Sequence, residues 1–234
     1  MTNLNRWQKA QNYEKNWWKD RHQTINLNYL KRFADDLIND LMGKYQITEN
    51  TNILEIGAGP AGILTHLPGK LRVAIDPLND FYSSIEHYNQ YRDKNIEYIN
   101  AKGESLPYSH SLFDLVIIDN VLDHCEEPEK VVSEIHRVLK PDGIIYFKQN
   151  VYHSFGKVIR NILEQFEFDK GHPHNYTQDD IFNLFNNYNF KIISKKNRGH
   201  FNQLLVELKM KNIKAFIRIF TFMTRDKITV IFRK

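Results

Sequence analysis

Residues 52–62 read Asn-Ile-Leu-Glu-Ile-Gly-Ala-Gly-Pro-Ala-Gly. A short apolar run meets three glycines at G-x-G-x-x-G spacing, the pattern of a strand turning sharply into a helix. Glycine enters positive φ without penalty and has no Cβ, so such a turn brings backbone close to a ligand. Pro60 suits the first turn of the following helix, where its missing N–H costs nothing. Working outward, LRVAID (71–76), NIEYINA (95–101) and LFDLVIIDN (112–120) read as three more strands. The last is apolar enough for burial on both faces. Pro128 opens a helix through Val131, Val132, Ile135, Val138 and Leu139, KPDG (140–143) stops it, and GIIYFKQN (143–150) is the fifth strand. Strands alternating with helices predict an α/β fold with a doubly wound parallel sheet.

The flanks read less regularly. Residues 4–18 are expected to be helical, with Leu4, Trp7, Ala10, Trp17 and Trp18 near one face. Leu27, Leu30, Phe33, Ala34, Leu37 and Leu41 repeat at helical spacing before Gly43. Residues 152–166 read as helix, and Thr177 with Asp180 forms a capping-box pattern ahead of Ile181, Leu184 and Phe185. FKIISKK (190–196) and KITVIFRK (227–234) are late strands with a helical stretch, 201–223, between them. The expected organisation is one domain over 1–234: an N-terminal helical cap (1–45), an alternating strand–helix core (50–150), an insertion (151–180) and a basic helical insertion (198–226).

Composition narrows the class. Of the 234 residues, 41% are hydrophobic and 26% charged, which excludes a disordered chain. A single cysteine, Cys125, excludes a disulfide framework and a cysteine-rich zinc module. The first residues lack an apolar signal core, so a cytoplasmic protein is expected. The net charge of +4 is unevenly spread: residues 195–234 hold eleven Lys and Arg against two Asp and Glu. A solvated or packed helix face is the plain reading of that excess; an anionic membrane or RNA contact through 198–226 is the alternative. No stable nucleic-acid complex is expected.

Asp76 ends the second strand, where an acid can accept both hydroxyls of a ribose. A nicotinamide dinucleotide and S-adenosylmethionine both fit this much. Glu55, two residues before the first glycine, would repel a pyrophosphate and suits the cationic amino-acid end of S-adenosylmethionine.

Four ordered stretches carry a resemblance: LEIGAGPAG (54–62), AIDP (74–77), GESLPYSHSLFDLVIIDNVLDH (103–124) and EIHRVLKPDG (134–143). With them the chain resembles the class I S-adenosylmethionine-dependent methyltransferases, in particular their small-molecule branch of the ubiquinone/menaquinone-biosynthesis type. The resemblance implies a mainly parallel seven-stranded sheet with a late antiparallel strand and helical cap segments. It implies S-adenosylmethionine as cofactor, with Glu55, Gly57, Ala58 and Gly59 at its methionine part and Asp76 at its ribose. Pro77, Leu78, Gly103 and Glu104 would then border the adenine, and Asp119, Asn120 and Val121 would lie beneath the sulfonium. Lys102 departs from the pattern, since relatives often carry an Asp there to accept from the adenine amino group and a lysine accepts nothing. Either Glu104 substitutes or backbone alone reads the base.

Methyl transfer to a hydroxyl usually needs a base. His124, closing the Leu-acid-His motif, is one candidate, though a structural histidine is the simpler reading. His172 and His174, two apart about Pro173, would share a face on an extended segment and point into one cleft. No third ligand accompanies this pair, so no metal is expected. Tyr13, Trp17 and Trp18 are candidates for a lid over the sulfonium. The expected activity is methyl transfer to a small or medium acceptor, at oxygen. A quinol, lipid or RNA acceptor is the alternative, and a dinucleotide-dependent dehydrogenase or a non-catalytic cofactor-binding scaffold are the rivals of another class.

Overall fold

The computed structural model describes residues 5–20, 25–166, 169–197, 199–210, 213–220 and 223–234. Leu4 and Arg198 therefore lie outside the described residues. Seven strands form one sheet in the order β3-β2-β1-β4-β5-β7-β6. They are β1 (Asn52–Ile56), β2 (Leu71–Ile75), β3 (Glu97–Ile99), β4 (Phe113–Asp119), β5 (Leu139–Tyr152), β6 (Lys191–Asn197) and β7 (Arg225–Arg233). β1 to β5 run parallel, and β7 is antiparallel to both β5 and β6. This is the doubly wound α/β architecture that the central motifs predict.

Alternation along the buried strands builds two cores. Leu54, Val116, Ile118, Ile145 and Phe147 face one side, where α5 (Pro128–Val138) and α7 (Gln178–Asn186) pack through Val131, Ile135, Ile181 and Phe185. Ile53, Leu115, Ile117, Ile144 and Tyr146 face the other, under α2 (Leu27–Leu41) and its Phe33, Ala34, Leu37 and Leu41. Each such side chain contributes about 1.5–3 kcal/mol on burial. Pro128 stands at the start of α5, and Thr177 with Asp180 closes a full capping box on α7.

Two local expectations are corrected. The glycine turn does not run into an α-helix; a three-residue 3₁₀ turn, Leu64–His66, follows instead. Pro68 and Gly69 stop it before β2 begins at Leu71, which leaves too little chain for a packed helix. Nor does KPDG wholly separate α5 from β5. Pairing starts at Leu139 opposite Phe113, skips the intervening residues with Asp142 at φ 60°, and resumes with Ile144 opposite Leu115. The bulge lets a helix pass into a strand without a loop.

The remaining helices are α1 (Arg6–Asp20), the short α3 (Asn79–Ser83) and α4 (Glu86–Asn89), α6 (Ser154–Glu164), α8 (His200–Lys209) and α9 (Ile213–Phe220). Among the described residues no helix is long and apolar enough to cross a membrane.

Candidate active site

The carboxyl ends of β1, β2 and β4 converge on the glycine turn. The N–H groups of Gly57 and Ala58 donate to the Ile75 carbonyl at 2.9 and 3.1 Å, tying the turn to β2. Gly57 has φ 70°, and a Cβ there would fall 2.4 Å from Val121 Cγ2. Gly62, at φ 67°, clears the space taken by the Glu55 carboxylate: a Cβ would lie 2.5 Å from Glu55 Oε2. Both Glu55 oxygens accept from the Ile63 N–H, at 3.0 and 3.2 Å. Asp76 follows β2 and accepts from the N–H groups of Gly59 (2.9 Å) and Leu78 (2.8 Å).

Glu55 is buried, and Asp76 is half-buried at the cleft floor. Burial pushes Glu55 up to about 8, against hydrogen bonds from Ile63 and Leu64 and with the Asp119 and Asp76 charges adding to the rise. Burial also lifts Asp76 to about 7; Glu14 adds to it, while the Leu78 and Gly59 N–H groups and His124 oppose it. A buried carboxyl in this state gains from a hydrogen-bond donor or a cation. Ribose hydroxyls and an amino-acid ammonium supply those, so the donor and acceptor set fits S-adenosylmethionine.

A cleft of about 600 Å³ opens over this floor, within the span of cofactor sites. Glu55, Gly57, Ala58, Gly59, Asp76, Pro77, Gly103, Glu104, Asp119, Asn120, Val121 and His124 all line it. Leu78 does not; its part is the N–H given to Asp76. Asn120 adopts φ 54°, and its side-chain oxygen accepts from the Asn150 N–H at 2.8 Å, pinning the β4 end to β5. Asp119 lies 3.3 Å from Lys227 Nζ.

The Lys102 departure has a structural use. Its ammonium stands 3.6 Å above the Trp7 ring and 3.0 Å from Glu126 Oε2, tethering α1 across the cleft. Glu104 is already engaged, its Oε1 accepting from the N–H groups of Glu126 and Glu127 at 2.7 and 3.3 Å.

The three histidines separate. His124 lies on the cleft wall, its Nδ1 3.3 Å from Glu14 Oε2. Burial lowers its pKa, but Glu14, Asp123 and Asp169 outweigh that and raise it to about 9. At neutral pH it is an imidazolium, a donor rather than a base. His172 stands behind it, ring centroids 4.5 Å apart, with Nδ1 2.8 Å from Asp169 Oδ1. His174 turns the other way and stacks on Tyr176, while its N–H donates to the Asp123 carbonyl. Thus neither His172 nor His174 is in the cleft lining, and the two do not share a face.

The lid comes from α1 and α2. Trp17 and Trp18 line the cleft, as do Trp7, Gln11, Glu14, Tyr29 and Phe33, which motif reading passes over. Trp18 also meets Tyr82 and Tyr88 edge-on, and the Tyr88 hydroxyl donates to its carbonyl at 3.0 Å. Tyr13 stands outside the cleft beside Gly171. Only an amphipathic pattern and aromatic richness mark α1 in the sequence; nothing there singles out Glu14.

The fold and this floor define a nucleoside-binding α/β domain, and comparison with known proteins gives its family. The methyltransferase domain family matches residues 54–147. The ubiquinone/menaquinone biosynthesis C-methyltransferase of Rickettsia prowazekii is 31% identical, over 71% of this chain and 72% of the relative. The sterol 4-C-methyltransferase of Caenorhabditis elegans is 26% identical over 66% of this chain, which spans only about half of that protein, 48%. Among solved structures, YcgJ of Bacillus subtilis superposes with a TM-score of 0.63 at 16% identity, over 86% of this chain and 97% of the other. The chain belongs to the class I S-adenosylmethionine-dependent methyltransferases.

Proposed function

We propose that this protein transfers a methyl group to the hydroxyl oxygen of a small or medium-sized acceptor. One observation carries the reading: the cleft that holds the glycine turn and Asp76 also holds the Glu14–His124 pair on its wall. Bound S-adenosylmethionine supplies an electrophilic methyl on a sulfonium. Glu55 and Asp76 are the groups that would hold its amino-acid and ribose parts. Trp7, Trp17, Trp18 and Phe33 exclude water and offer aromatic faces to a cation. The protein's remaining task is alignment of the acceptor, which is worth several kcal/mol in a well-ordered site. An imidazolium beside a carboxylate gives an acceptor hydroxyl one donor and one acceptor at once; as the O–CH3 bond forms and the S–CH3 bond breaks, the hydroxyl proton passes to the Glu14 carboxylate.

The test is methyl transfer from labelled S-adenosylmethionine to matched acceptors bearing hydroxyl, thiol, amine or activated carbon. Oxygen methylation is expected, with His124→Ala removing one charged donor to the acceptor and lowering turnover about 10–100-fold. Product methylated only at sulfur, nitrogen or carbon defeats the oxygen assignment.

A second reading, a quinol or lipid acceptor taken from an anionic membrane, is supported by one surface. Phe155, Val158, Ile162 and Phe166 on and after α6 are exposed, as are Phe201, Leu205 and Leu208 on α8 and Phe216 and Phe220 on α9. A packed-helix reading of the basic stretch expects those groups inside. The side chains of Ile213 and Ile217 lie outside the described set. The α8–α9 hairpin closes instead on buried Glu207, which takes Arg218 at 3.0 Å and the Thr224 hydroxyl at 3.1 Å. Apolar groups among the chain's basic excess suit an anionic bilayer. Salt-sensitive co-sedimentation with acidic vesicles, absent with neutral ones, is the expected outcome on this reading.

A further inference from the structure

We propose that Asp123, His124 and His172 form a binding site for one divalent transition-metal ion of the zinc class, within the wall of the cleft that His124 lines. One ligand atom from each lies within 4.8 Å of the others. The three come from two segments that the backbone already joins. Asp123 and His124 lie in the 3₁₀ turn after β4, Leu122–His124, and His172 in the stretch before α7. The His174 N–H donates to the Asp123 carbonyl at 3.3 Å between them.

One buried atom of the cluster is unmatched: Asp123 is 9% exposed at its side chain, yet its Oδ1 has no hydrogen-bond partner. An unmatched polar atom in such a position is costly, and a metal ion on this carboxylate removes the cost. His124 keeps Glu14 beside its Nδ1 at 3.3 Å. It ligates as the neutral imidazole, so metal uptake displaces its proton.

The surroundings of His172 have the form that orients metal-binding imidazoles. Its Nδ1 is 2.8 Å from Asp169 Oδ1, which fixes the tautomer and leaves Nε2 available as a ligand, 4.0 Å from Asp123 Oδ2. Asp169 is itself held by Arg160, 3.1 Å away and 3% exposed at its side chain, and Arg160 donates again to the His172 carbonyl at 3.4 Å. Two imidazoles and a carboxylate make a nitrogen–oxygen donor set suited to zinc, cobalt or iron rather than to magnesium or calcium. Metal–ligand bonds of about 2.0–2.2 Å place ligand atoms about 3.4 Å apart in a tetrahedron. Closing from 4.8 Å takes small side-chain rotations, which half-exposed His172 can make. Three protein ligands leave a fourth position open. Since His124 also lines the cleft, that position suits an acceptor oxygen, whose proton a bound cation makes more acidic. This last role rests on the oxygen reading above; metal binding itself does not.

The experiment titrates the metal-free protein with Co²⁺ alone and then with Zn²⁺ in competition. Calorimetry and the visible absorption of bound Co²⁺ report the site, and S-adenosylhomocysteine affinity is measured separately. One ion per chain is expected, with nitrogen-ligand bands in the visible. His172→Ala is expected to weaken uptake at least 100-fold, and Asp169→Asn, which removes only the orienting carboxylate, about 10–100-fold. Both variants should keep their S-adenosylhomocysteine affinity, which also shows that they fold. Uptake of less than one ion per chain by the parent, or equal uptake by parent and both variants, overturns the site. Metal uptake without S-adenosylhomocysteine binding would leave the site standing and remove the methyltransferase reading; the reverse result does the opposite.

Discussion

The floor of the cleft and its lid are held by different physics. The floor is the ends of β1, β2 and β4, whose flanking side chains Leu54, Val73, Val116 and Ile118 are wholly buried. The lid helix α1 buries one residue fully, Ala10. Its other ties are polar or aromatic: Arg6 to Glu164 at 2.6 Å and to the carbonyls of Asp169 and Lys170, Trp7 under Lys102, Glu14 beside His124, and Trp18 on Tyr82. A rigid floor under a weakly held lid lets a cofactor enter by local opening while the sheet stays intact.

The sharpest test of that contrast is Gly57→Ala. Positive φ and the contact with Val121 together cost about 2–5 kcal/mol. A fall in Tm of several degrees and loss of S-adenosylhomocysteine binding are expected; full binding would mean that the floor is soft. Asp76→Ala comes next. It removes charge-assisted ribose contacts, so calorimetry should show affinity lowered by about 1.5–3 kcal/mol, with the fold retained. An unchanged dissociation constant would take Asp76 out of the site.

Proton linkage is third. Asp76 is raised to about 7 in the fold, with Glu14 adding to the rise and His124 opposing it. Ribose hydroxyls favour the ionised form, so binding expels a proton below pH 7. Affinity should then rise roughly tenfold from pH 6 to 8 and level off, with heats that depend on the buffer. For the free protein the sign is opposite: a carboxyl raised from its usual value makes the fold less stable as pH climbs from about 4 through 7. Heats independent of buffer would contradict the linkage. The smallest effect is expected for Arg6→Ala: under about 1 kcal/mol in stability, but faster amide exchange along α1 than along β4. Equal exchange in both elements, in parent and variant, would erase the distinction between lid and floor.

The same division explains what was legible in the sequence. Gly62 clears Glu55, a neighbour in the same short stretch, and Gly57 takes the positive φ at which the strand turns, so spacing alone reveals both. Asp76 sits at a strand end, a position that periodicity marks. The G-x-G-x-x-G spacing predicts a helix after Gly62, but the Pro68-Gly69 stop leaves room only for the 3₁₀ turn Leu64–His66. His172 and His174 were paired by a period-two rule that holds on a regular strand; here Asp169 draws one ring inward and Tyr176 takes the other. Glu14 and Asp123 were not legible as site residues. Their roles arise where α1 and the stretch before α7 meet the β4 turn, from distant parts of the chain.

The place of β7 has a consequence for synthesis. Among the described residues β6 pairs only with β7, and β7 lies between β5 and β6. During translation residues 191–197 therefore emerge with no strand to join. The edge of β5 stays uncovered until residues 225–233 have left the ribosome. In that interval the nascent chain carries an open apolar sheet edge, a natural point for chaperone capture or for aggregation.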